Sequence, residues 1–220
     1  MQENPLHALA VSRAGPAPRS AGAATVLLHG RGRAVGEMLD LAERLALPDM
    51  PFVAVPAAEG TWYPQSFLVP RERNEPHLGW ALERLEAVVR GLEDEGLARE
   101  RIAFVGFSQG ACLASEYLFR TPARWGALAA LTGGLIGPPG TTWTPPSSAS
   151  LAGTPVLLAT SDIDELVPLQ RVEATAGVFR SMGAAVDLRV YAGMGHLVSD
   201  EEILATRSLL ASLVGAVNPR

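Results

Sequence analysis

Ile102-Ala103-Phe104-Val105-Gly106-Phe107-Ser108-Gln109-Gly110-Ala111-Cys112 is the stretch from which the rest of the chain can be read. Ile102 to Val105 is a short, unbroken apolar run, the pattern of a strand buried on both faces. A helix-like run follows from Gln109 to Arg120. Between them stands Gly-Phe-Ser-Gln-Gly, a Gly-x-Ser-x-Gly. A strand that turns straight into a helix holds its serine in a strained backbone conformation and needs glycine on either side. The Ser108 hydroxyl then stands clear of the sheet, and the N-terminus of the helix favours negative charge developing beside it. Taken alone the motif is weak. An ordinary N-cap serine before a helix looks the same, so the partners must come from elsewhere in the chain.

A chain of 220 residues suits a single domain with a substantial core. Apolar residues make up 48% and charged residues 19%, which excludes a disordered chain. The net charge is −5 and no arginine stripe forms, so nucleic acid and anionic membrane are poor partners. All 18 basic residues are arginine. Chemistry that needs a lysine, such as P-loop phosphate binding or a Schiff base, is therefore excluded. The single cysteine, Cys112, allows no internal disulfide and reads as buried filling. No run reaches membrane-spanning length and no basic-then-apolar leader is seen, so the expected location is cytoplasmic, without stable membrane association.

Strand and helix patterns alternate along the chain. Leu6–Val11 reads as a short edge strand and Arg13–Ser20 as a loop, so residues 1–20 are expected to form an N-terminal edge strand and loop. Ala24–Leu28, Phe52–Val55, Ala127–Leu131 and Pro155–Thr160 read as buried strands. Val186–Tyr191 alternates, as a half-exposed strand near a sheet edge does. Helical spacing runs through Val35–Leu45, Leu78–Leu92 and Pro168–Met182. Ser199-Asp200-Glu201-Glu202 is a capping box that opens a last helix. Residues 57–76 and 133–153 are long loops, a length that usually signals function or mobility. The expectation is one α/β domain over residues 1–220, with a mostly parallel central sheet and helices on both faces.

Ligands of such sheets bind beyond the carboxyl ends of the strands. Three informative residue types stand just after strands. Ser108 follows one, the pair Asp162 and Asp164 follows another, and His196 follows a third. A serine hydroxyl attacks only when a base takes its proton, and an imidazole near neutrality can take it and return it. A buried carboxylate fixes the imidazole tautomer. Asp164 is the better carboxylate, because Leu166-Val167-Pro168 restarts the fold just after it; Asp162 reads as a local turn residue. An oxyanion needs two backbone donors, for which the Gln109 and Arg31 amides are candidates. Arg31 lies in His29-Gly30-Arg31-Gly32, whose glycines let the backbone approach a ligand. His29 reads as a structural loop residue, and His7 and His77 as surface. Gly30, Gly32 and Gly36 approximate a dinucleotide fingerprint, but the third glycine is one place late and no acidic residue ends the next strand.

Four ordered motifs carry a resemblance: His29-Gly30-Arg31-Gly32, Gly106-Phe-Ser-Gln-Gly110, Asp164-Glu-Leu-Val-Pro168 and Gly193-Met-Gly-His196. Together, over about residues 24 to 215, they resemble the phospholipase/carboxylesterase family of α/β-hydrolases, to which the acyl-protein thioesterases belong. The resemblance implies a Ser108–His196–Asp164 triad with the Arg31 and Gln109 amides as oxyanion donors, acting on carboxylic esters with no cofactor and no metal. Arg33 stands where the thioesterase branch usually has aspartate, and Glu165 where proline is common. Hydrolysis of small esters, short to medium or aromatic, is therefore expected over deacylation of proteins. Thioesterase or lysophospholipase activity, acyl transfer, and a ligand-binding relative without turnover are the alternatives. Trp62, Tyr63 and Phe67 from the first loop, with Leu135, Ile136 and Trp143 from the second, are expected to wall the pocket. The expected partner is a small-molecule ester, on a monomer or homodimer.

Overall fold

Apolar runs buried on both faces belong at the centre of a sheet, and the chain builds one around them. The computed structural model describes residues 4–145 and 150–214; part of the expected loop 133–153 and both ends of the expected domain lie outside the described residues. Seven strands form the sheet: β1 (Ser12–Ala14), β2 (Ala24–Leu28), β3 (Phe52–Val55), β4 (Ile102–Phe107), β5 (Ala127–Leu131), β6 (Pro155–Ser161) and β7 (Ala185–Tyr191). Their order is β1-β3-β2-β4-β5-β6-β7. Only β1 runs antiparallel to its neighbour, β3. β4, which ends at the elbow, lies centrally between β2 and β5.

Period-two side chains feed two cores. Val26, Leu28 and Phe104 point to the face covered by α3 (His77–Asp94), α4 (Gln109–Arg120) and α5 (Leu169–Ser181). Leu27, Val105 and Leu157 point to the face covered by α2 (Val35–Leu45) and α6 (Asp200–Val214). Met38, Leu41 and Leu45 recur on the buried side of α2. Each side chain of that size contributes about 1.5–3 kcal/mol on burial.

The N-terminus departs from the sequence reading. Pro5–Ala8 is a 3-10 turn, not a strand, because the Asn4 side chain accepts the Leu6 amide at 3.0 Å and Pro5 occupies the first turn. The edge strand starts only at Ser12 and pairs with Ala54. Pro18–Ala21 is a short helix, α1, where a loop is expected; Gly22, at φ 66°, ends it.

The first long loop is pinned rather than loose. Within it Asn74 is buried, accepting the Gln65 amide at 2.8 Å and donating to the Ser66 carbonyl at 3.1 Å. Glu116 of α4 is fully buried and ties both long loops to the elbow helix. It holds Arg71 at 2.9 Å and Arg120 at 2.8 Å, and accepts the Ile136 amide at 3.3 Å.

Candidate active site

The elbow is built by close approach. A Cβ on Gly106 would lie 2.5 Å from the Gly110 carbonyl oxygen, and one on Gly110 would strike the Leu28 carbonyl. With glycine at both places β4 passes into α4 in a single residue. That residue is Ser108, at φ 53° and ψ −117°, a left-handed conformation that costs about 1–3 kcal/mol for a residue with a side chain. The Ser108 amide donates to the Leu131 carbonyl at 2.9 Å, which fixes the turn against β5.

Two further loops converge on the hydroxyl. His196 Nε2 lies 2.8 Å from Ser108 Oγ, and its Nδ1 lies 2.7 Å from Asp164 Oδ2. The Asp164 side chain is fully buried, and its other oxygen accepts the amides of Leu166 and Val167 at 2.8 and 2.9 Å. Because that carboxylate accepts, the Nδ1 proton belongs on the ring, which leaves Nε2 free to take a proton from the hydroxyl. The chain of three groups spans residues 88 apart in sequence, and only the sheet brings them together. Asp162 is not merely local: its Oδ1 accepts the Gly193 amide at 2.8 Å and so ties its own loop to the one carrying His196.

Beside the serine, the His29 loop is held rigidly. His29 Nε2 accepts the Ala57 amide at 3.1 Å, so Nδ1 carries the proton and donates to the Gly30 carbonyl at 2.8 Å. Burial pushes the His29 imidazole below its ordinary pKa, which keeps this neutral form. The Gln109 amide stands at the first position of α4, where no helical acceptor is available. The Gln109 side chain works backwards: Oε1 accepts the Trp62 amide at 3.0 Å and Nε2 donates to the Tyr63 carbonyl at 2.8 Å. The Arg31 guanidinium clasps the same loop by donating to the Pro64 carbonyl at 2.7 Å and to that of Gln65.

A cavity of about 480 Å³ opens over Ser108 and His196. Of the expected wall residues, Tyr63 and Phe67 line it. Trp62 does not: it is buried and spends its indole N–H on the His29 carbonyl at 2.8 Å. Leu135 and Ile136 do not either. Both are fully buried in the core beneath α4 and α5, because their amides are taken up by Thr175 and Glu116. Trp143 is buried and lies outside the cavity, its indole N–H on the Ile136 carbonyl at 3.3 Å. Phe107, Leu166 and Val167 take their place. Each is adjacent in sequence to a site residue or its loop, so the position of a residue next to a motif was the usable signal. Cys112 closes the floor, its thiol pushed up to about 12 by burial. Among the described residues no cluster of His, Cys, Asp or Glu could hold a metal.

A family model described as Phospholipase/Carboxylesterase matches residues 16–213. The chain belongs to this family. Of solved structures, the phospholipase/carboxylesterase from Dyadobacter fermentans DSM 18053 is similar at 36% identity and TM-score 0.86, covering 91% of this chain and 95% of that one. A probable carboxylesterase of Oryza sativa subsp. japonica is 28% identical over 128 residues, which is 58% of this chain and 47% of that protein. An acyl-protein thioesterase 1 of Gibberella zeae is 29% identical over 111 residues, 50% of this chain and 47% of that protein. The chain thus spans about half the length of these two curated relatives. Family and fold together place the chain on an α/β-hydrolase sheet.

Proposed function

We propose that the protein hydrolyses carboxylic esters through Ser108, His196 and Asp164. The hydrogen-bonded line from Ser108 Oγ through His196 to Asp164 carries this reading. His196 Nε2 takes the hydroxyl proton as Oγ bonds to the ester carbonyl carbon. The Arg31 and Gln109 amides stabilise the oxyanion. The tetrahedral carbon then expels the alcohol oxygen, which leaves with the proton from His196, and Ser108 is acylated. Water repeats the sequence: its proton goes to His196, its oxygen to the acyl carbon, and the proton returns to Oγ as the acid departs. No step needs a cofactor or a metal. Asp164 holds the ring and offsets its transient charge.

The substrate in this reading is an ester of short to medium acyl chain or aromatic type. Tyr63, Phe67, Phe107 and Val167 supply a partly apolar cavity of ordinary ligand size. The test uses a fluorophosphonate and intact-mass detection alongside hydrolysis of p-nitrophenyl butyrate. The wild-type protein should gain one adduct and Ser108→Ala none. The substitution should lower kcat by on the order of 10⁵–10⁶ without changing the far-UV spectrum. Wild-type turnover by the folded variant would end the serine-hydrolase reading. Turnover without any adduct would exclude an accessible activated serine. If added methanol diverts most of the acyl group to a methyl ester, acyl transfer becomes the better description.

A further inference from the structure

The cavity has an asymmetric charge. Arg31 and Arg33 both line it, and among the described residues no aspartate or glutamate does. Each guanidinium stands over an aromatic wall of the same cavity. Arg31 Cζ is 6.0 Å from the Tyr63 ring centre, and Arg33 Cζ is 6.0 Å from that of Phe107. Phe107 in turn packs 5.2 Å from the His196 ring, so the second cation is within one aromatic ring of the reacting groups. Stacking of this kind limits where an arginine can point.

Neither charge is cancelled inside the cavity. Arg31 gives two N–H groups to backbone carbonyls, which hold it in place but leave its charge standing. Arg33 meets Glu37 at 2.8 Å in an exposed pair, both partners about half open to solvent. Exposed pairs of this geometry hold weakly and yield to a competing anion. The carboxylate of Asp164 faces away, buried between His196 and two amides. The net charge of −5 acts against anions at long range, but at 0.1 M salt it is screened beyond about 10 Å. The two cations at the mouth therefore decide what the bound substrate meets.

We infer that the preferred substrate is an ester that itself carries a carboxylate near the ester group, recognised by Arg31 and Arg33. This rests on the hydrolase reading of the same site and narrows its substrate class. The fork of an arginine suits a carboxylate, and two at one mouth can share it.

The experiment compares kcat/KM for charged and neutral esters of one shape. On the acyl side, mono-4-nitrophenyl adipate is set against 4-nitrophenyl 6-methylheptanoate and the cationic 4-nitrophenyl 6-aminohexanoate. On the alcohol side, 3-acetoxybenzoate is set against methyl 3-acetoxybenzoate. The anionic ester should lead its neutral partner by roughly tenfold in at least one arm, the size expected of hydrogen bonds to a charged group, and the arm that responds assigns the side. The lead should shrink as salt rises from 0.05 to 0.5 M. Arg33→Gln should lower the anionic-to-neutral ratio, and Arg33→Glu should lower it further. Equal or lower rates for both anionic esters would overturn the inference while leaving the hydrolase reading intact. A preference that neither Arg33 substitution nor salt reduces would overturn the assignment to these arginines. If the folded wild-type protein cleaves none of the five esters and takes up no fluorophosphonate, the hydrolase reading fails and this inference falls with it.

Discussion

Asp162 and Asp164 are two residues apart, point to the same end of the sheet, and do different work. Asp164 gives one oxygen to His196 Nδ1 at 2.7 Å and the other to two amides. In Asp164→Asn the carbonyl oxygen can still satisfy those amides, which turns the NH₂ group toward the imidazole. The ring must then place its proton on Nε2, facing Ser108, where it can no longer accept one. kcat for p-nitrophenyl butyrate should fall by about 10⁴, the size seen when a serine-protease triad aspartate becomes asparagine. Asp162→Asn keeps an oxygen for the Gly193 amide and should cost little by comparison. Steady-state kinetics of the two variants decides it, and the reverse ranking would move the carboxylate role to Asp162. The Gly-x-Ser-x-Gly and the order serine, aspartate, histidine were readable from residue types because each follows a strand end. The Gly193 tie of Asp162 was not, since it joins two loops 31 residues apart that only the sheet brings together.

The loop that carries His196 is anchored by the helix behind it. Glu202, in the first turn of α6, accepts the Ser199 amide at 2.8 Å and its hydroxyl at 3.2 Å, while the Glu202 amide donates to Ser199 Oγ at 3.2 Å. This is the reciprocal cap that Ser199-Asp200-Glu201-Glu202 spells out. The carboxyl is nonetheless fully buried, and its other oxygen has no hydrogen-bond partner among the described residues. Burial raises its pKa; the Ser199 bonds oppose the rise, and the Glu201 and Asp164 charges add to it. The native state therefore holds a proton on Glu202 at pH values where the unfolded chain has lost it. Stability from this group is present below the ordinary carboxylate range and is lost as pH climbs through the raised value. Glu202→Gln keeps an oxygen for the Ser199 amide and removes the titration. The Tm of Glu202→Gln minus that of wild type should grow from pH 4.5 to pH 8. In a chain of this size about 1 kcal/mol moves Tm by 2–4 °C, so calorimetry can read the trend. A difference that stays flat, or falls with pH, would refute it. Strand runs and helix periods were legible here because they are repeated over many residues. The N-terminal edge was not, because one side chain, Asn4, and Pro5 outweigh the apolar character of Leu6–Val11.

At the scale of the molecule, the two long loops do not do the same job. Both are bound to α4 through Glu116, but among the described residues only the first supplies cavity wall. Loop aromatics are equally visible in sequence whether they end in a pocket or under a helix. Trp62 and Trp143 give their indole N–H groups to the His29 and Ile136 carbonyls and stay out of the cavity, whereas Tyr63 and Phe67, which have no ring N–H, line it. The second long wall comes instead from Leu166 and Val167, just beyond Asp164. Leu166 is 62% exposed, and Ile163 and Leu197 nearby are also open. The loops of Asp164 and His196 thus carry an apolar lip, and two arginines also line the cavity. That shape bears on how the substrate arrives. A hydrolase that works at a lipid interface needs an amphipathic surface that inserts broadly, with cations around an apolar face. Here three scattered side chains form the lip, the surface is acidic overall, and among the described residues no helix is long and apolar enough to cross a membrane. The cavity holds about 480 Å³, so a growing acyl chain fills it and then must lie in water along the lip. Each methylene inside adds up to about 0.8 kcal/mol, and each one beyond adds little. With neutral p-nitrophenyl esters from acetate to palmitate, kcat/KM should rise over the first few chain lengths, peak at short to medium acyl groups, and then fall. Rates should follow dissolved substrate smoothly, with no jump where the ester begins to form micelles. A maximum at palmitate, or a sharp rise at the solubility limit, would mean that the lip and its surroundings dock on a lipid surface and that the substrate is not met in solution.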